Sequence, residues 1–310
     1  MRIIRNWTGI RAEDRGATVA IGNFDGVHRG HAAVIGQAQT ACNAPLGVVT
    51  FEPHPREYFA PDTPPFRLMN AEARANRLAK LGVELLYELP FDARLAGLSA
   101  ADFAQQVLGP SGLGVRHVVV GADFRYGKGR SGTPETLHAQ GGAQGFGVTV
   151  AAEVTGSEGR VSSTAIRTAL SEGRPRDAAA MLGHWHRIDG PVLHGDRRGR
   201  ELGYPTANMS VEGLHLPRFG IYAVLADVLT GPHAGSYRGA ASLGLRPQFD
   251  GTVPKLETYL FDFDGDLYDT HLSIGLVDFL RPEARFESVD ALVAQMGADC
   301  ARARTILAAP

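Results

Sequence analysis

The sequence predicts two domains of different class. Residues 1–183 read as an α/β domain on a doubly wound parallel sheet, and residues 184–310 as a small antiparallel β-barrel with a terminal helix. Three observations predict this. A chain of 310 residues is about two domains long. In the first half, short and nearly continuous apolar runs alternate with helix-like segments, the order that winds a parallel sheet covered on both faces. After about Gly183, strand-like runs follow one another with only turn residues between them, as in a small barrel.

The elements follow in order. Residues 18–21 form a short apolar strand that ends in a glycine loop, and a helix follows from 31 to about 41. The next strand covers 46–51. Residues 71–81 read as a helix stopped by Gly82, 84–87 as a strand, and 100–108 as a helix capped by Ser99. Residues 115–120 are the most strongly β segment. The glycines of 141–147 mark a helix-to-strand turn. In such a sheet, ligands bind beyond the carboxyl ends of the strands. The boundary falls near 182–187. Beyond it, strands are expected at 188–194, 222–229, 237–245, 256–263 and 272–279, with Asp264-Gly265 as a hairpin signal. The tail, 288–307, is helical: Ser288 is its cap, and Leu292, Met296, Cys300 and Ile306 recur roughly on one face.

Composition narrows the function. The chain is 44% hydrophobic and 21% charged, as in ordinary globular proteins. A net charge of -2 supplies no broad basic field, so nucleic acid is not an expected partner. Cys42 and Cys300 are far apart and outside any CxxC or Cys/His cluster, which argues against a zinc site or disulfide scaffold and fits a reducing cytoplasm. The N-terminus is not a signal peptide, and no run is long and apolar enough to span a bilayer, so no membrane partner is expected.

His28-Arg29-Gly30-His31 is an HxGH sequence that follows a strand and opens a helix. A helix amino terminus offers N–H groups and partial positive charge to a phosphate. Two histidines spaced by three can face one phosphate and stabilise charge as pyrophosphate leaves. Gly127-Lys128-Gly129 lacks the spacing and hydroxyl of a P-loop. The segment Gly22-Asn23-Phe24-Asp25-Gly26-Val27-His28-Arg29-Gly30-His31 resembles the nucleotidyltransferase loop of the bifunctional bacterial riboflavin kinase/FAD synthetases. Two later segments resemble the same family in the same order: Gly121-Ala122-Asp123-Phe124-Arg125-Tyr126-Gly127, and Val161-Ser162-Ser163-Thr164-Ala165-Ile166-Arg167. The resemblance implies an adenylyltransferase site that binds ATP through Gly22, Asn23, Phe24, Asp25, His28, His31, Asp123, Ser163, Thr164 and Arg167, with His28 and His31 catalytic. From the residues alone, Ser163 and Thr164 can cap a helix or donate to phosphate, Arg167 is either a fork for an oxyanion or a solvated charge, and Asp123 is equally a turn residue. Phe51-Glu52-Pro53-His54-Pro55 also resembles a family segment, a rigid loop suited to lining a flavin pocket, with a structural role equally open for His54.

In the second half, the segment from Gly195 through Arg200 and Gly203 to Tyr204-Pro205-Thr206-Ala207-Asn208 resembles the glycine-rich loop and P-T-A-N motif of riboflavin kinases. The resemblance implies that Gly195, Arg200, Gly203, Thr206 and Asn208 bind ATP, with Thr206 and Asn208 holding Mg²⁺. Their hydroxyl and amide oxygens suit that ion, which keeps several waters. Glu257 aligns with the family's catalytic glutamate, the base that accepts the proton of the riboflavin 5′-hydroxyl. Arg281 matches a segment that is either structural or flavin-contacting. Asp262, Asp264 and Asp266 alternate but do not make an EF-hand, because Leu267 and Ser273 stand where glycine and glutamate are needed. Two positions depart from the family: Gln248 replaces threonine, and Asp269 stands where glycine is usual, implying a positive φ that costs about 1 kcal/mol. The resemblance thus predicts a transferase handling riboflavin, FMN, FAD and ATP as co-substrate, cytoplasmic, and a monomer or weak oligomer.

Overall fold

A computed structural model describes residues 1–152, 155–156, 159–194, 202–248 and 251–308. The chain forms two compact units, one of Met1–Pro64 with Arg74–Val161 and the other of Pro65–Ala73 with Ser162–Pro310.

The first unit is built on a parallel sheet of β1 (Arg2–Ile4), β2 (Thr18–Ile21), β3 (Leu46–Glu52), β4 (Leu85–Pro90), β5 (His117–Gly121) and β6 (Gly147–Ala151). Their order is β1-β4-β3-β2-β5-β6, and every pairing is parallel. The expected doubly wound sheet is therefore present. From β2 the chain winds outward through β3 and β4 on one side, and through β5 and β6 on the other. The order reverses at β2, so the crevice beyond its carboxyl end is the switch point of the sheet. All four β2 residues are buried. Val19, Ile21, Val49, Leu85, Tyr87, Val118 and Val120 pack one face, and the Tyr87 hydroxyl donates to the Asp14 carbonyl at 2.7 Å.

The helices fall close to their predicted places, at Arg29–Ala41, Ala71–Lys80 and from Ala100, where Phe103–Leu108 is wound as a π-helix. Ser99 caps this last helix, its Oγ accepting from the Asp102 N–H at 3.1 Å. The glycine cluster behaves as expected: helix Pro134–Gln144 ends at Gly145, whose φ of 82° closes the turn into β6. A short antiparallel pair, β7 (Thr155–Gly156) with β8 (Gly159–Arg160), follows.

In the second unit, helices Ser163–Ser171 and Pro175–Leu182 bury Ile166, Ala169, Leu170, Ala178 and Leu182 around Leu68. The barrel strands are β9 (His186–Pro191), β10 (Ala207–Ser210), β11 (Gly220–Val228), β12 (Gly235–Gln248), β13 (Gly251–Leu260) and β14 (His271–Arg281). They run in the order β10-β13-β12-β11-β14-β9, all antiparallel. A bridge between Leu193 and Asn208, with the Leu193 N–H donating to the Asn208 carbonyl at 2.8 Å, brings the two ends of the sheet together. Ile188, Met209, Tyr222, Val224, Leu243, Leu256, Leu272 and Ile274 fill the interior. Helix Val289–Ala308 lies on the outside, Ala303 and Leu307 packing against Ala223, Ala240 and Val277. Ser288 caps it as predicted, its Oγ 3.1 Å from the Ala291 N–H.

One local expectation fails. Asp264-Gly265 does not close a hairpin: β13 ends at Leu260 and β14 begins at His271. The reason is pairing. β13 lies between β10 and β12, and β14 between β11 and β9, so the two are not neighbours. The ladder that turns back directly is β12 with β13, paired up to Gln248 and Gly251.

Candidate active sites

The HxGH segment lies at the switch point. β2 ends at Ile21 and helix Arg29–Ala41 begins seven residues past Gly22. Gly22 N–H donates to the Val49 carbonyl at 3.1 Å, and Thr50 Oγ1 to the Asn23 carbonyl at 3.2 Å, so β3 fixes the start of the loop. The turn then needs three left-handed residues, Phe24, Gly26 and Val27, with φ of 51°, 82° and 41°. Phe24 and Val27 are buried, which holds them there despite the steric cost to a side chain.

His28 is the N-cap, its Nδ1 accepting from the His31 N–H at 3.3 Å. The two imidazoles stack with centroids 3.7 Å apart and planes 13° apart, and the Phe24 ring meets His31 edge-on at 5.2 Å. His28 and Asp25 are buried. Burial, and next the neighbouring His28, hold the His31 pKa well below its ordinary value, and its Nδ1 has no hydrogen-bond partner among the described residues. A closely stacked pair at a helix amino terminus, with His31 held neutral by burial, is suited to an anionic ligand.

Two further loops leave the same edge of the sheet. Asp123 follows β5, the neighbour of β2, in a turn closed by the Phe124 N–H on the Gly121 carbonyl at 3.1 Å, and it is exposed. Beyond β3, His54 caps helix Pro55–Phe59: its Nδ1 accepts from the Arg56 N–H at 3.0 Å, while Glu57 accepts from the His54 N–H at 3.1 Å. His54 thus has a structural role.

Ser163, Thr164 and Arg167 belong to the second unit. Neither Ser163 nor Thr164 is the cap of its helix. Ser162 is, with φ −146° and ψ 151° and its Oγ 3.2 Å from the Ala165 N–H. Three consecutive hydroxyl residues offered three registers, and the first one with extended backbone took the position. Arg167 donates from Nε to the Phe66 carbonyl at 2.6 Å, with its guanidinium 5.4 Å from the centre of the Phe66 ring.

In the barrel, Thr206 and Asn208 sit together at the start of β10, with the Asn208 amide nitrogen 3.4 Å from the Thr206 carbonyl. Ala207 and Met209 point to the core, so Asn208 points outward. The register places Asn208 opposite Glu257, Glu257 opposite Ser242, Ser242 opposite Ile221 and Ile221 opposite Arg281. These five form one row across five strands. Neighbouring strands are about 4.8 Å apart, so Asn208, Glu257 and Ser242 fall within about 10 Å. Sequence reasoning missed both β10 and Ser242, because register is a non-local property. Arg281, at the far end, is held by Asp299 of the terminal helix: Nε donates at 2.9 and 3.1 Å and Nη2 at 2.7 Å, and Asp299 is buried. Gly203 has a φ of 83°. Gly195 and Arg200 lie outside the described residues, as does Phe249, next to Gln248. Asp269 adopts φ 61°, the positive value expected there. Asp262 pairs with both Nη atoms of Arg304, at 2.7 and 2.9 Å.

A doubly wound sheet thus carries a histidine-capped loop at its switch point, and an antiparallel barrel carries an outward Asn–Glu row. The FAD synthetase family model matches residues 10–165, and the riboflavin kinase family model matches residues 182–307. A bifunctional riboflavin kinase/FMN adenylyltransferase from Pseudomonas fluorescens is 42% identical over 314 residues, covering 100% of this chain and 99% of the relative. Proteins of the same description from Escherichia coli (strain K12) and Bacillus subtilis (strain 168) are 39% and 36% identical, over 98% and 94% of this chain and 97% and 92% of theirs. The chain belongs to the bifunctional riboflavin kinase/FMN adenylyltransferase family. A solved structure described as a macrolide-efflux protein from Streptococcus pneumoniae is 31% identical with a TM-score of 0.81, over 96% of each chain. Among the described residues of this protein, no helix is long and apolar enough to cross a membrane.

Proposed function

We propose that the chain carries out two successive transfers from ATP. The kinase portion, residues 184–310, converts riboflavin and ATP to FMN and ADP. The adenylyltransferase portion, residues 1–183, converts FMN and ATP to FAD and pyrophosphate. The observation that carries this is the family match of both portions, each with its own candidate site.

In the kinase, Glu257 accepts the proton of the riboflavin 5′-hydroxyl as that oxygen attacks the γ-phosphorus and ADP leaves. Phosphoryl transfer needs little beyond positioning and charge neutralisation. The register supports this role by pairing Glu257 directly with Asn208. The Thr206 hydroxyl and Asn208 amide oxygen are the hard donors that Mg²⁺ requires, and these two residues would hold it. When bound, the ion supplies neutralisation of phosphate charge. Gly195, Arg200 and Gly203 belong to the loop that takes the nucleotide. Arg281 has Nε and Nη2 committed to Asp299. Its part on the flavin side is therefore support of the terminal helix, with flavin contact limited to the rest of the guanidinium.

In the adenylyltransferase, an FMN phosphate oxygen attacks the α-phosphorus of ATP. The bond to the β-phosphate breaks and pyrophosphate leaves, with no covalent enzyme intermediate. His28 and His31, at the helix amino terminus, stabilise the charge that builds on the leaving group. Gly22, Asn23, Phe24 and Asp25 shape the loop, and Asp123, Ser163, Thr164 and Arg167 complete the contacts to ATP. We place both reactions in the cytoplasm, on a monomer or weak oligomer without nucleic-acid or membrane partners.

Purified protein given riboflavin, ATP and Mg²⁺ is expected to accumulate FMN and then FAD. Absence of FAD when FMN is supplied would overturn the first-half assignment, and absence of FMN from riboflavin would overturn the second.

A further inference from the structure

Arg167 is held from two sides by a single residue, Phe66. Its Nε rests on the Phe66 carbonyl at 2.6 Å and its guanidinium lies beside the Phe66 ring. The next residue along that anchor, Arg67, accepts at its carbonyl from the His215 N–H at 2.8 Å, and Arg67 bridges Leu214. The ring of the same His215 turns onto the main chain of Arg167: Nε2 lies 3.1 Å from the Arg167 carbonyl and 3.0 Å from Ser171 Oγ. A carbonyl only accepts, so Nε2 carries the proton and donates. Burial lowers the His215 pKa, which keeps the ring neutral. His215 therefore grips the strap under the guanidinium with its backbone and the backbone of Arg167 with its side chain. All of these residues lie in the second unit. His215 itself is within the stretch matched by the riboflavin kinase family, seven residues beyond Asn208.

We propose that His215 is a positioning residue for adenylyl transfer: a side chain from the kinase sequence that sets where Arg167 presents its guanidinium. The inference rests on the reading of Arg167 as a contact to ATP. Neither the P-T-A-N strand nor Glu257 is involved, so FMN formation is untouched by it.

The test uses the full-length chain carrying His215→Leu, His215→Gln, His215→Asn or Arg167→Ala, and the double variant His215→Leu/Arg167→Ala. FAD formation from FMN and FMN formation from riboflavin are assayed separately. A misplacement of order 1 Å at a transfer site costs up to about a hundredfold. His215→Leu is expected to lower kcat for FAD formation about tenfold or more and to leave FMN formation unchanged. His215→Gln places an amide N–H near the Nε2 position and restores most of the loss, whereas the shorter Asn does not. In the Arg167→Ala background, His215→Leu has no further effect. Full FAD formation by His215→Leu overturns the proposal, as does an additive double variant. If Leu also abolishes FMN formation through misfolding, the Gln and Asn pair decides: equal FAD formation by the two overturns the proposal, and retention by Gln alone sustains it. Unimpaired FAD formation by Arg167→Ala refutes the reading of Arg167 itself, a result distinct from failure at His215.

Discussion

At the residue scale, the loop proposed for adenylyl transfer turns on the tautomer of one histidine and the absence of one methyl group. His28 Nδ1 accepts the His31 N–H, so a neutral His28 carries its proton on Nε2. A Cβ on Gly30 would sit 3.1 Å from His28 Cε1 and 3.2 Å from Nδ1. Gly30→Ala is therefore expected to separate stability from activity. Alanine favours the helix by about 1 kcal/mol, while a displaced imidazole lowers FAD formation about tenfold or more. Thermal unfolding and FAD formation, measured on the same preparation, check this; an active Gly30→Ala enzyme counts against the stacked pair as the working arrangement. The HxGH spacing was legible because it is local. The stack itself, and Ser162 as the cap in place of Ser163 or Thr164, were not, since neighbouring hydroxyl residues compete for one cap and backbone geometry decides among them.

At the scale of elements, strands covered on both faces announced themselves and edge strands did not. The sequences of β2, β3 and β5 are apolar runs. β1 has a single buried residue and β6 only Ala151. β10 has four residues with alternate burial, too short a signal to stand out, yet it carries Asn208. Asp264-Gly265 misled because turn chemistry predicts a bend and says nothing about which strands then pair. Likewise, nothing local tells that Arg281 will meet Asp299 on the terminal helix. Breaking a buried pair leaves a charge without compensation and typically costs about 3 kcal/mol. Asp299→Ala is expected to lose about that much in a denaturant titration; a loss well under 1 kcal/mol would show that the clamp does not hold the helix to β14.

At the scale of the molecule, acid stability follows from a buried histidine. His186, at the start of β9, has its pKa pushed down to about 3, chiefly by burial, with His184 and His215 adding to it. As pH falls below the ordinary value of 6.5, the unfolded chain takes up this proton and the folded chain does not until about pH 3. Stability is thus full above pH 6.5 and declines below it, by at most about 2 kcal/mol at pH 5 for this one group. His186→Gln is expected to flatten the fall in unfolding midpoint between pH 7 and pH 5, and an unchanged slope would assign the acid sensitivity elsewhere. The larger claim is that two chemistries share one chain through separate sites, His28 in the first unit and Glu257 in the second. The most direct measurement assays His28→Ala and Glu257→Gln for both reactions. His28→Ala should lose FAD formation by about a hundredfold or more and keep FMN formation, and Glu257→Gln should lose FMN formation by a similar factor and keep FAD formation from supplied FMN. Loss of both activities in either variant would contradict two separate sites.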